Sequence, residues 1–340
     1  MRRVGNLIDR WNNLDNFYLA LKDLRKGKTL HPSFIRFEYE APAVIERLMG
    51  EIGSGEYRVK PYRNFTVSEP KKRTISAPHI EDRLVQHALM RVVGSIIDRK
   101  FIDQSFACRV GKGTHSCSKQ LMKYLQHYDE DDYFAHIDMN KYFYSIDKEI
   151  IFNKVKRIIK CKKTLRVFWE LIFSNDYFFA DNKDVVYCGD ELVGIAIGAY
   201  VSQTNANLML NDTDHFAKRV LKCKHYLRYM DDIVILGRDK KELAYMKNEI
   251  RKKIESENLK LNPKSKIAKL KQGVDFVGYR HWKSKKLIRK QSLFRVKRCV
   301  KKGANNNQIA SFYAHSKDTD SAYYIDKLIR SMHGSSLCEA

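Results

Sequence analysis

Two adjacent aspartates, Asp231 and Asp232, open the apolar run Ile233-Val234-Ile235-Leu236. Lys224-His225-Tyr226-Leu227-Arg228-Tyr229-Met230 precedes them. The apolar, β-branched run reads as a buried strand. Carboxylates at the mouth of such a strand are costly to desolvate, and a bound cation is the usual compensation. A third carboxylate, Asp138, closes the strand-like run Tyr133-Phe134-Ala135-His136-Ile137. Alone, it reads as the N-cap of the helix that follows. If the two runs are neighbouring strands, the acids converge at one sheet edge, and divalent cations relieve their repulsion. Oxygen-only ligands select Mg²⁺ or Mn²⁺ over zinc. Two such ions roughly 3.5–4 Å apart serve in-line phosphoryl displacement. In a regular strand, Asp231 and Asp232 would point to opposite faces. The pair is therefore expected near a hairpin tip, with Asp231 the firmer ligand and Asp232 the looser.

The elements that must position these acids follow from periodicity. Residues 6–26 have Leu7, Ile8, Trp11, Leu14, Phe17, Tyr18, Leu21 and Leu24 at helical spacing, with Gly27 as the stop. A second helix is predicted from Pro42 to Ile52, broken by Gly53-Ser54-Gly55. Tyr62–Val67 and Arg73–Pro78 flank Glu69-Pro70-Lys71-Lys72, a β-hairpin with a basic tip. Such a tip is either an edge strand protected by lysine or a grip for a triphosphate. A helix is predicted over 81–99. In Arg109-Val110-Gly111-Lys112-Gly113-Thr114-His115, two glycines flank a lysine before another helix. That loop is either a phosphate-approaching turn or a tight turn with Thr114 as N-cap.

The chain has 340 residues and a formal charge of +24. Between Arg280 and Lys302 the charged residues are all Lys or Arg, including Arg289, Lys290 and Arg298. Such an excess suits a polyanion, nucleic acid above all. No two of the seven cysteines have C-x-x-C spacing, which argues against zinc and fits free thiols in a reducing compartment. No apolar run approaches membrane-spanning length, so a cytoplasmic location and no membrane partner are expected.

Asp138 followed by Phe143, then Tyr229-Met230-Asp231-Asp232 on a hairpin, resembles the palm of a reverse transcriptase. The likeness runs from Tyr62 to Tyr279 and takes in the basic hairpin, Gly194–Gln203, Leu261-Asn262-Pro263-Lys264 and Phe276-Val277-Gly278-Tyr279. It implies an α/β (α+β) right-hand polymerase fold whose palm is an antiparallel sheet backed by helices. The implied segments are an N-terminal helical extension (1–55), fingers (56–132), a palm (133–280, with a helical insertion at about 148–190) and a basic helical thumb (281–340). No room is left for a nuclease or integrase domain. By the same resemblance Asp138, Asp231 and Asp232 are catalytic and hold two Mg²⁺ ions, with the carbonyl of Met139; Mn²⁺ is a substitute. Phe143 would stack under the sugar and exclude a 2′-hydroxyl. Lys71, Lys72, Arg73, Ile197 and Gln203 would meet the nucleotide. Either Lys264 or Lys266 would protonate pyrophosphate. Tyr229, Met230, Gly278, Arg289, Lys290 and Arg298 would meet primer or template. The implied partners are an RNA template, a DNA or RNA primer, dNTPs, a cognate structured RNA and an accessory protein.

Within the family, Ala196-Ile197-Gly198 stands where many members carry Pro-Gln-Gly. This form, with Ser105-Phe106-Ala107, Gly111–His115 and Glu81–Leu89, is most similar to bacterial enzymes of diversity-generating retroelements, which copy RNA with errors at adenines. Those enzymes usually carry Pro-Ile-Gly-Asn; Ala196 and Ala199 depart from that pattern. The departure leaves open an antiphage-defence reverse transcriptase with unusual or untemplated synthesis. Outside enzymes, the alternative is a palm-fold RNA-binding scaffold. Isoleucine at 197 cannot hydrogen-bond the nucleotide sugar as glutamine could, which predicts about tenfold looser base selection.

Overall fold

In the computed structural model, which describes residues 3–27, 32–68, 72–173 and 192–334, the first apolar stretch is cut in two. α1 spans Ile8–Trp11 and α2 spans Leu14–Arg25, where one helix was expected. Asn13 makes the break: it lies in extended backbone and its side chain accepts from the Asn16 N–H. That cap restarts the helix. Gly27, at φ +72°, then turns the chain away as predicted.

The second helix, α3, runs Pro32–Ser54 with Pro42 in its interior. Proline suits a first helical turn, which is why the sequence suggested a start there. Phe34, Phe37, Ala41, Ile45, Leu48 and Ile52 form one buried stripe through Pro42. Burying that stripe outweighs the lost backbone bond.

β1 (Arg63–Val67) and β2 (Arg73–Ala77) pair antiparallel, Phe65 opposite Ile75. α4 covers Ile80–Asp98. α5 covers Thr114–Leu125; its N-cap is Gly113 at φ +138°, not Thr114, which is the first helical residue. Next come β3 (Tyr133–Asp138), α6 (Tyr142–Ser145), α7 (Lys148–Ile158) and α8 (Lys162–Phe173). α9 (Tyr200–Met209) and α10 (Asn211–Arg219) lead into β4 (His225–Tyr229) and β5 (Asp232–Gly237). α11 (Lys240–Glu255) is followed by β6 (Lys266–Lys269), β7 (Val274–Phe276), β8 (Tyr279–His281) and β9 (Lys286–Ile288).

The C-terminal region holds α12 (Lys290–Lys301), α13 (Asn306–Ser316) and α14 (Ala322–Gly334), where the sequence predicts two helices, around Leu293–Val300 and Asp318–Ser331, joined by a Gly303-Ala304-Asn305-Asn306-Asn307 linker. The additional helix, α13, starts in the predicted linker. Asn305 and Gln308 form a reciprocal capping box there.

Two compact units divide the chain. One comprises Met1–Asp103, Met139–Phe216 and Ile250–Leu261. Its hairpin is joined to the segment before α9 through the Ser76 N–H, which donates to the Ile197 carbonyl at 2.8 Å. Gln86, on α4, caps α9 by accepting from the N–H groups of Tyr200 and Val201. The buried Lys154 ammonium ties the Met209 carbonyl to Glu257.

The other unit comprises Gln104–Asp138, Ala217–Glu249 and Asn262–Ala340. Its main sheet is antiparallel, in the order β4-β5-β3-β6. Phe134, Leu227, Val234 and Leu236 share a core with Cys117, Leu121 and Leu125 of α5 and with Phe276. By the alternation of strands, the sheet face bearing those apolar residues also carries Asp138 and Asp232. A smaller sheet, β7-β8-β9, is pinned to α5 by His281, whose Nε2 lies 2.8 Å from the Ser118 hydroxyl while Nδ1 faces the Val274 carbonyl. Tyr279, Ile288, Val296, Val300, Ile325 and Ile329 make a separate core with the C-terminal helices.

Candidate active site

The register of the main sheet brings the distant acids together. Asp138, the last residue of β3, is paired with Asp232, the first of β5, and Asp232 is paired in turn with Tyr229. Directly opposed residues share a face and hold their Cβ atoms about 4.5–5.5 Å apart. Met230 and Asp231 are the two residues of the β4–β5 turn, and Met230 has φ +57°. Arg228, fully buried, holds that turn by donating to the Met230 carbonyl at 2.9 Å. The expected hairpin tip is therefore present, with Asp231 in the turn and Asp232 in the ladder.

Both paired carboxylates are braced. Asn262 Nδ2 donates to Asp138 Oδ2 at 2.8 Å, and its own backbone N–H donates to the Asp138 carbonyl at 2.7 Å. The Asp138 N–H donates to the Ser265 hydroxyl oxygen. Asp232 Oδ1 is hydrogen-bonded to His136 Nε2. Burial lifts the Asp232 carboxyl above its ordinary value, with Asp138 adding to the effect and His136 opposing it. Burial pulls His136 down, but the Asp232 hydrogen bond and the charges of Asp232 and Asp138 hold it above an ordinary imidazole. The pair thus keeps its shared proton to higher pH than a lone histidine would.

Sequence reasoning gave no role to His136, Arg228 or Asn262. His136 had a readable signal: two residues before Asp138 in a strand, it must share that residue's face. Asn262 stood inside a noted motif, but its partner is 124 positions away in the chain.

The other predicted residues are distributed as follows. Met139 is buried and bridged to Leu261. Lys264 is exposed in the turn after Asn262, whose side chain accepts from its N–H. Lys266 heads β6 directly opposite His136, on the face of the paired acids. Gly278, at φ +93°, makes the β7–β8 turn, and a Cβ there would lie 3.3 Å from His315 Cε1. The closest neighbour above that glycine is thus a ring from α13. Arg289 stands at the N-cap position of α12 without a side-chain capping bond, and is ion-paired with Asp275. Lys290 sits over the Phe294 ring, and Arg298 is exposed on the same helix. In the first unit, Arg73 opens β2, Phe143 is half-buried in α6, Ile197 is half-buried before α9 and Gln203 is exposed on it. Lys72 is exposed, and Lys71 lies outside the described residues.

The donor set suits a hard divalent cation. Two carboxylates lie side by side, one of them raised by burial and by its neighbour's charge, and a cation would relieve both costs. Among the described residues no group of three His, Cys, Asp or Glu side chains is arranged to hold a metal ion by itself. Further ligands would have to come from Asp231, water or substrate oxygens. Among the described residues no helix is long and apolar enough to cross a membrane.

Residues 63–281 match the family described as Reverse transcriptase (RNA-dependent DNA polymerase). The chain is 22% identical over 217 residues to a Saccharomyces cerevisiae protein described as Putative COX1/OXI3 intron 1 protein, covering 62% of this chain and 25% of that one. It is 25% identical over 303 residues to Protein YkfC of Escherichia coli, covering 75% of this chain and 74% of that one. The chain thus spans a quarter of the length of the first relative and about three quarters of the second. A solved telomerase from Candida albicans, in complex with a fragment of telomeric RNA, aligns with TM-score 0.49 and 11% identity, covering 86% of this chain and 59% of that one.

Proposed function

The chain belongs to the reverse transcriptase family, whose fold is the right-hand polymerase class, and on that premise we propose that it copies RNA into DNA by extending a primer with deoxynucleoside triphosphates. The observation that carries this reading is the register of Asp138 with Asp232 beside the turn that holds Asp231. Acids so placed repel one another, and a scaffold without chemistry has no use for that cost.

In this reading Asp138, Asp231 and Asp232 hold two Mg²⁺ ions, or Mn²⁺ in their place, together with the Met139 carbonyl. Such ions activate the attacking primer hydroxyl and steady the leaving pyrophosphate. The chain's own residues position and neutralise. Asn262 and Ser265 keep Asp138 in place, and Arg228 keeps the turn in one conformation. Lys266 is favoured over Lys264 as the lysine that meets pyrophosphate, because its register places it on the face of the acids. Arg73 with Lys71 or Lys72 grips the triphosphate, and Phe143 rejects the 2′-hydroxyl. Lys290 and Arg298 contact backbone phosphates without reading sequence.

The finer reading is a bacterial enzyme of the diversity-generating retroelement type, error-prone and working on a cognate structured RNA. Ile197 supports it, since that side chain offers no hydrogen bond to the sugar. Primer extension with wild type and Asp231→Ala tests the activity: we expect the variant to lose at least a hundredfold in DNA synthesis, comparable to removing a key electrostatic group. Unchanged synthesis would overturn the site. Sequencing products made with and without added RNA separates templated copying from untemplated addition.

A further inference from the structure

The two paired acids have one feature in common. Asp138 has Oδ2 occupied by the Asn262 amide, and Asp232 has Oδ1 occupied by His136. Each carboxylate is left with a single oxygen not held by these contacts. His136 is placed for this by the strand itself. It lies two residues before Asp138 and opposite Val234, which in turn lies two residues after Asp232, so the imidazole and both acids share one face. Lys266 flanks His136 from the other side in register.

The number of oxygens a carboxylate offers discriminates between ions. Mg²⁺ demands near-ideal octahedral geometry and takes few protein oxygens, one from each carboxylate. Ca²⁺ accepts six to eight oxygens and readily takes both from one carboxylate. We propose that His136 is a positioning residue that sets the ion selectivity of the Asp138–Asp232 pair, by holding one oxygen of Asp232 so that this residue binds through the other alone. The inference rests on the reading of these acids as the metal-binding pair. It goes beyond that reading in assigning the choice of ion to a side chain that is not itself a ligand.

The test uses the full chain without nucleotide, at one fixed pH. Terbium luminescence reports occupancy, and displacement by Mg²⁺ and by Ca²⁺ gives the ratio of their affinities. His136→Phe keeps the bulk of the ring and removes the donor; His136→Val serves the same purpose if the phenylalanine variant does not fold by circular dichroism. His136→Gln restores an N–H donor. Losing one hydrogen bond to a charged group is worth roughly tenfold at the lower end of its range. We therefore expect the ratio to move about tenfold towards Ca²⁺ in the donor-less variant and to stay near wild type with glutamine. A folded donor-less variant with the wild-type ratio would overturn the proposal, as would a glutamine variant that shifts as far as the donor-less one. Terbium binding that is equal in wild type and Asp138→Ala would instead remove the metal pair itself, and with it both readings.

Discussion

Asn262 shows how a single amide can matter more than its exposure suggests. It fastens Asp138 twice, through its side chain and its backbone N–H. Asn262→Ala keeps the backbone bond and removes the amide. A hydrogen bond to a charged group is worth about 1.5–3 kcal/mol, so DNA synthesis should fall roughly ten- to a hundredfold. The thermal midpoint should stay almost unchanged, because the turn is also closed by the Ser265 N–H to the Asn262 carbonyl. Primer extension alongside a melting curve checks both halves. A large drop in melting temperature would make Asn262 a folding residue instead.

Among the elements, the segment leading into α9 is held by backbone geometry. Gly198 has φ +120°, and a Cβ there would come within 2.9 Å of Ile75 Cγ2 and 3.1 Å of the Ser76 carbonyl oxygen. A side chain at this position is strained and also crowded by β2. Left-handed backbone alone costs a non-glycine residue about 1–2 kcal/mol, and the clash adds to that. Gly198→Ala should therefore lower the melting temperature by roughly 5 °C or more and loosen the Ser76–Ile197 link. Amide exchange at Ser76 would report the loosening. Gln86 matters here too, since its side-chain oxygen serves two N–H groups at the start of α9. A glycine at 198 and a glutamine at 86 are thus parts of one joint, seen only once the elements are assembled.

At the scale of the whole molecule, two of the buried titratable groups, Asp82 in one unit and His281 in the other, are shifted in opposite directions. Burial lifts Asp82 from its ordinary 3.8 to about 7, against the lowering effect of its bonds from the Tyr57 hydroxyl and the Lys60 N–H. The folded state then holds a proton that the unfolded state releases. The stability it contributes is present below about pH 4 and is lost as pH rises through 7. Burial lowers His281 from 6.5 to about 4. There the unfolded state takes the proton first, so stability is present above pH 6.5 and is lost as pH falls towards 4. The effects are on the order of 4 kcal/mol for Asp82 and 3 kcal/mol for His281. Urea titrations should show Asp82→Asn flattening the loss on the alkaline side and His281→Gln flattening the loss on the acid side. If both variants follow the wild-type pH profile, neither group is buried as described.

The amino-acid sequence by itself determined the order of the acids, the apolar, β-branched runs that make their strands and the glycines after the first helices. These are local properties, set by side-chain periodicity and by backbone freedom within a few residues. It also held the Asn305–Gln308 capping box and the apolar stripe of α3, though Pro42 and the asparagine run masked them as a helix start and a linker. Which carboxylate lies against which was decided only by the tertiary structure. The pairing of Asp138 with Asp232, and the bonds from Asn262 and His136, join residues far apart in the chain through strand register. Register is fixed by the burial of a whole sheet face, not by any short stretch of sequence.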